Sequence, residues 1–382
     1  PEMTGQTVID VTGKTIQNNP RPHNILDAFR TGITRNFNVG LSNGSDLGTY
    51  RLSYSNLYSE GVTPNNDLSR NNVAFRGTTR IANVLMVDAN VTYVKSTAVN
   101  PANVGANYGT MKNFVYGGTR NYDTKYWMSN YIDKANGGVN QSDPSGMTSY
   151  VWFPLLENKM TQTENNFRGS IDLKADLTTH LRWQGLASVN YIGTNWDNKQ
   201  RGQDVGFGNP RYNVSNTNKT IERYQSSLVY TNDLTPFFSL MVQGGGEVNR
   251  GVQQSLSAQM ESYILPDVYR LSNSNVPATV SESAPNKYQS SSAFAQAQLG
   301  YKEFLYLNLY GRNDWNSTLV YNDGHGNYSY FYPGADVSWI FTDNFKLPAA
   351  FDYGKLCIIC QRRWRYYQLY REYRCLYREW FI

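Results

Sequence analysis

Charge is scarce in this sequence: only 17% of its 382 residues are Asp, Glu, Lys or Arg, against roughly 25% in an ordinary soluble domain. A chain so short of charge has little to keep a large surface in water. Long apolar runs are missing too. No stretch approaches the roughly 18 consecutive apolar residues of a spanning helix, which excludes a helical membrane protein. Disorder is excluded by what stands in place of charge, 30 Tyr, 16 Phe and 8 Trp that can bury large areas. Histidine is down to His23, His180 and His325, too far apart to suggest a metal cluster. Cysteine does not occur before Cys357, which fits an oxidising compartment. The chain opens at Pro1 with no signal-like segment, so the expectation is a start that has been processed or cut.

What is present is alternation. In Phe167, Gly169, Ile171, Leu173, Ala175 and Leu177 one parity is apolar, while Arg168, Ser170, Asp172, Lys174 and Asp176 fill the other. After Asp176–His180 the pattern resumes with Leu181, Trp183, Gly185, Ala187, Val189 and Tyr191 against Arg182, Gln184, Ser188 and Asn190. This is a two-strand ribbon with one apolar and one wet face. The unit recurs at 36–42 with 50–58, 73–81 with 84–95, 224–230 with 238–248, and 293–301 with 304–312. A strand at 331–341 adds to these, and a partner for it starts at Gly354, giving about eleven strands and a stub.

Short turns alternate with long connections. The turns are Asn43–Asp46, Ala82-Asn83, Asp176–His180, Asn232–Pro236 and Lys302-Glu303; the long connections are 100–161, 196–219, 251–287 and 313–328. That asymmetry predicts an all-β fold: an antiparallel transmembrane β-barrel segment with short periplasmic turns on one rim and long extracellular loops on the other. Ile171, Leu173, Leu181, Trp183, Leu305, Leu307, Val337 and Trp339 are then expected to face lipid. Arg168, Asp172, Arg182, Gln184, Asn308 and Asp336 are expected to face the lumen. A soluble sandwich would bring the apolar parity together in a dry core.

No catalytic, cofactor or metal site emerges. Nucleophile motifs are absent, Gly244-Gly245-Gly246 lacks a following Lys-Ser/Thr, and Asp323–Asn327 reads as a turn rather than a Ca²⁺ loop. The 62-residue connection from Asn100 to Thr161 remains, and a loop of that length needs structure of its own. Its aromatics nominate Tyr116, Tyr122, Tyr126, Trp127, Tyr131 and Trp152 as substrate-binding residues. Such rings can stack on sugars or grip peptides, and they can equally pack the loop together.

The segment 357–382 differs from the rest. It holds all three cysteines (Cys357, Cys360 and Cys375) and six arginines. Its C-x-x-C spacing suggests redox or metal chemistry, and its basic and aromatic residues suggest nucleic acid. A shifted reading frame explains more. Codons permitted for Cys360–Glu372, read one nucleotide later, give Ala-Ser-Val-Gly-Gly-Asp-Thr-Thr-Ser-Tyr-Thr-Ala-Asn, which looks like the body. The expectation is a frameshift near Cys357 and a tail without function; a short basic amphipathic segment is the alternative.

Several stretches resemble the SusC/RagA family of TonB-linked outer-membrane transporters. They are Phe29–Ser45, Tyr50–Tyr54, Ser59–Gly61, Leu309–Thr318, Tyr330–Pro333, Val337–Trp339 and Tyr353–Leu356, matched in order. The resemblance implies a lead-in at 1–35, a partial receptor barrel at 36–356 and the shifted tail at 357–382. It implies import of oligosaccharides or peptides across the bacterial outer membrane, with a SusD-like lipoprotein, energy from the TonB complex and no cofactor. The family's plug, TonB box and remaining strands are not matched, so the expectation is an internal segment that alone transports nothing. An adhesin or glycan-binding surface barrel without transport is the alternative.

Overall fold

The computed structural model describes residues 5–9, 13, 15–82, 84–101, 109–319, 323–324, 326, 328–345, 353–363 and 372–380. His325, Asn83, Tyr108 and part of the Asp323–Asn327 turn lie outside the described residues. A small hairpin of β1 (Thr7–Ile9) and β2 (Thr15–Gln17) comes first. One large antiparallel sheet follows, built from β3 (Ile33–Ser45), β4 (Gly48–Glu60), β5 (Asp67–Ile81), β6 (Leu85–Val99), β7 (Lys159–Asp176) and β8 (Leu181–Gln200). It continues through β9 (Arg211–Thr235), β10 (Phe238–Met260), β11 (Thr279–Glu282), β12 (Asn286–Tyr301), β13 (Leu305–Asn316) and β14 (Ser329–Ile340). In the last part are β15 (Lys355–Arg363) and β16 (Glu372–Trp380). Pairing follows chain order from β3 to β16, with β11 hung on the side of β10, and the described sheet is not closed.

All eleven anticipated strands form, and their short turns share one rim. Arg80 N donates to Leu47 O (2.9 Å), Asp176 N to Val84 O (3.0 Å) and Thr231 N to His180 O (2.8 Å). Lys302 N donates to Phe237 O (2.8 Å) and Ile340 N to Phe304 O (2.7 Å). Each bond joins a turn to the end of the neighbouring hairpin, so the rim is stitched together. In the turn over Lys302-Glu303 both residues take positive φ (47° and 60°), and Phe304 N donates to Tyr301 O (3.2 Å), the backbone hand that matches the twist of the flanking strands.

Register sets the faces, because directly opposed residues point the same way. Ile171 opposes Ala89 and Ala187, Leu173 opposes Val87 and Gly185, Leu305 opposes Trp339, and Leu307 opposes Val337. On the other face Lys174 opposes Gln184, Asp176 opposes Arg182, and Asn308 opposes Asp336. The apolar face is open: Val91, Ile171, Leu228 and Leu309 are all exposed. The polar face is knit by Arg76–Asp88 (2.7 Å), Arg223–Glu247 (2.8 Å) and Asn308 Nδ2 to Asp336 Oδ1 (2.7 Å). The fully buried apolar residues lie in the surface loop, the lead-in and the far strand ends rather than between two sheets. The wall is therefore inside-out relative to a soluble domain, as expected of strands between lipid and a wet lumen.

Aromatic rings mark both ends of the apolar band. Phe238 and Tyr301 (4.9 Å), Tyr301 and Phe304 (5.5 Å), and Trp339 and Phe345 (5.8 Å) cluster near the turn rim. Toward the loops Tyr54, Tyr93 and Tyr191 donate to Asn71, Asn165 and Asn218, each at 2.8 Å. One sequence expectation is corrected here. Much of 196–219 and 251–287 is strand, since β8 runs to Gln200, β9 starts at Arg211 and β10 reaches Met260. There the hydrogen-bond ladder continues to the strand ends, where Tyr212, Ala258 and Met260 are buried.

Candidate functional site

The connection between β6 and β7 folds as a unit. It carries α1 (Gly109–Gly117), α2 (Thr124–Ser129), a π-helical turn over Thr148–Trp152 and α3 (Phe153–Glu157). Asp123 caps α2 by accepting from Tyr126 N at 3.1 Å, which satisfies an otherwise orphaned donor. Phe114, Tyr122, Met147, Val151 and Trp152 pack into a small dry core that includes Ala28 of the lead-in. Trp152 meets Phe114 edge-on at 5.0 Å.

A buried polar network fixes that core. Trp152 Nε1 donates to Tyr122 Oη (2.7 Å), and Tyr122 donates to Asp143 Oδ2 (3.0 Å). The same carboxylate accepts from Thr148 N (2.9 Å) and Ser145 N (2.9 Å). Burial and then the Asp143 charge push the Tyr122 hydroxyl far above its ordinary range. The lead-in is tied on by Arg21–Asp123 (2.6 Å), Lys125–Asp27 (3.2 Å) and Thr124 Oγ1 to Asn24 O (2.6 Å).

A second junction joins three loops. Arg201, just after β8, reaches Glu157 with Nη1 (2.8 Å) and Asp267 with Nη2 (3.1 Å), and its guanidinium lies 3.6 Å over the Phe207 ring. Tyr131 donates to the other Glu157 oxygen at 2.5 Å, and burial together with that hydrogen bond raises its pKa. Gln203 Nε2 donates to Ser149 O (3.2 Å), and Val139 N donates to Gln203 O (2.8 Å). No sequence motif marks Arg201, because its partners are brought together only by the fold.

The six nominated aromatics separate. Tyr116 is 82% exposed and Tyr126 54% exposed, with Trp127 half-buried edge-on to Tyr126 at 5.0 Å. Tyr131 is half-buried at the Glu157 junction. Tyr122 and Trp152, by contrast, are 4% and 0% exposed, so in this arrangement they hold the loop's core and offer no face to a ligand. Tyr150, not among the six, is 67% exposed. At the far end of the sheet, Cys357 and Cys360 stand three residues apart on β15 and so point to opposite faces, which separates the C-x-x-C thiols. Cys357 Sγ lies 3.3 Å from Ser338 Oγ, and Cys360 stands opposite Cys375 in the ladder.

No family model matches the sequence, and no curated protein matches it. Among solved structures, the RagAB peptide transporter superposes with TM-score 0.74 at 13% identity over 95% of this chain and 42% of that one. The open-open state of the RagAB peptide importer gives 0.75 at 14% identity, over 98% and 42%. The outer membrane transporter YddB from Escherichia coli gives 0.55 at 9% identity, over 94% and 40%. The chain thus spans about two fifths of the length of the transporters it resembles. At these identities the likeness is one of fold: an open run of antiparallel strands that matches part of an outer-membrane transporter barrel.

Proposed function

We propose that this chain supplies wall and surface loops to a TonB-dependent transporter of the bacterial outer membrane. It imports oligosaccharides or peptides with a SusD-like surface lipoprotein and is not an enzyme. The observation that carries the reading is the inside-out wall: apolar residues outward, a hydrogen-bonded polar face inward, and every short turn on one stitched rim. The likeness in fold to part of the RagAB peptide transporter supports peptides within that substrate pair. In the surface loop, Tyr116, Tyr126, Trp127 and Tyr131 offer contact area, while Tyr122 and Trp152 support them from beneath.

The test is uptake of labelled peptides and labelled oligosaccharides by cells expressing the gene from which this chain comes, with and without TonB. Tyr116→Ala combined with Tyr126→Ala is expected to weaken uptake several-fold while leaving barrel mobility on gels unchanged. Uptake of neither ligand, or uptake indifferent to TonB, would sink the transporter reading; unchanged uptake by the double variant would remove the loop from it. We further infer that 357–382 is read in a shifted frame, supported by its basic, cysteine-bearing composition. Resequencing the DNA across the codon of Cys357 tests that.

A further inference from the structure

The outward face of β9, β10 and β12 departs from the rest of the lipid-facing wall. Its middle carries small residues where neighbouring strands carry Leu, Ile and Val: Gly185, Ser226, Gly244, Gly246, Ala293 and Ala295 share one face by register. Trp183 lies flat against the sheet beside them. Its Nε1 donates to Ser226 Oγ at 3.0 Å, and a Cβ on Gly185 would sit 2.6 Å from its ring. With Tyr224 and Val248 this ring walls an apolar trough of about 470 Å³.

Above the trough the same face turns basic. Arg250 follows Val248 and Gly246 on that parity, and Lys287 stands opposite Val252, one step further toward the loops. Arg250 lies twelve residues up β10 from Phe238. At ~3.3 Å per residue and a tilt of ~40° that is about 30 Å above the turn rim, just past an apolar band of ~25 Å. Both cations therefore sit at headgroup height. Arg250 Nε donates to Gln289 Oε1 at 3.2 Å, which orients the guanidinium but supplies no countercharge. Neither Arg250 nor Lys287 forms an ion pair among the described residues. Glu222 opposes Arg250 in the ladder, yet no ion pair closes between them. Two cations held in no ion pair above an apolar trough, with Glu222 the one acid set directly against Arg250, complement one kind of occupant, a molecule with an anionic head and a hydrocarbon tail.

We propose that this face seats one phosphate-bearing lipid of the outer leaflet, a diphosphorylated glucosamine lipid, with Arg250 and Lys287 on a phosphate and an acyl chain in the trough. The proposal rests on the outer-membrane reading above. The whole protein encoded by the gene from which this chain comes is refolded into phosphatidylcholine vesicles containing a few per cent of lipid A, floated, extracted in mild detergent, and its retained lipid A counted by mass spectrometry. Wild type is expected to retain about one lipid A per chain. Arg250→Gln with Lys287→Gln should retain about tenfold to thirtyfold less, and Ser291→Leu, which fills the trough, should also retain less. Glu222→Gln should retain more, and the lumen-facing Lys219→Gln the same as wild type. Equal retention by wild type and the double cation variant overturns the proposal, as does equal retention of lipid A and its dephosphorylated form. A chain that fails to float overturns the outer-membrane reading and this inference with it, whereas a chain that floats without enriching lipid A overturns this inference alone.

Discussion

The wall and the surface loop of this protein are held together in opposite ways. In the wall, Val91, Ile171 and Leu309 point away from the chain, and cohesion comes from strand-to-strand hydrogen bonds and the surrounding lipid. In the loop, Phe114, Val151 and Trp152 point inward at 1%, 0% and 0% exposure and make a conventional core. The same residue types therefore serve opposite ends, and what decides is the solvent outside. Packing defects should unfold the loop and leave the wall; charge placed against lipid should do the reverse.

The largest effect is expected at the loop core. Trp152→Ala removes the ring that packs on Phe114 and the donor to Tyr122, and should destabilise the loop by about 3–5 kcal/mol. Limited proteolysis should then cut within 109–157 while the remaining sheet keeps its heat-modifiable mobility. Loss of that mobility would mean that loop and wall fold as one unit.

The converse change is Val91→Arg. Val91 faces outward six residues above the start of β6, near mid-membrane, where Arg costs about 2–4 kcal/mol. Val94→Arg, three residues on and facing the lumen between Asn72 and Asn166, should cost almost nothing. Denaturant titration in lipid vesicles separates the two, and equal costs would contradict the assignment of faces.

The smallest effect is one of pH. Tyr122 and Tyr131 both have raised folded-state pKa values, chiefly through burial, from an ordinary 10.0. The folded loop thus holds these protons more tightly than the unfolded one. Their contribution is intact below pH ~10 and is lost as pH rises above it. Tyrosinate absorbance should show the loop opening in that range, and Tyr131→Phe, which has no proton to lose there, should open at higher pH. Ionisation of both residues at an ordinary tyrosine pKa would break the contrast between the dry loop and the wet lumen.

What was legible in the sequence follows from this two-solvent picture. Strands crossing the lipid meet different media on their two faces, so Ile171 and Asp172 had to alternate and the turns between them stood out. Asn213–Lys219 is polar at nearly every position and carries little alternation, whereas Val252, Leu256, Ala258 and Met260 do alternate with Gln253, Ser255, Ser257 and Gln259, a continuation of β10 that the reading of 251–287 as a connection passed over. Inside the loop, composition nominated Tyr116 and Trp152 alike, and only helical packing separates an 82% exposed ring from a buried one. Arg201 was invisible because Glu157, Phe207 and Asp267 lie 44, 6 and 66 positions away.

Arg201 also limits how this surface can be redesigned. Because one guanidinium fastens the loops after β6, β8 and β10, none of them is an independent module. A graft meant to change ligand preference must carry Glu157, Arg201 with Phe207, and Asp267 as a set. An exchange of one loop alone would leave the others gripping a partner that is no longer there.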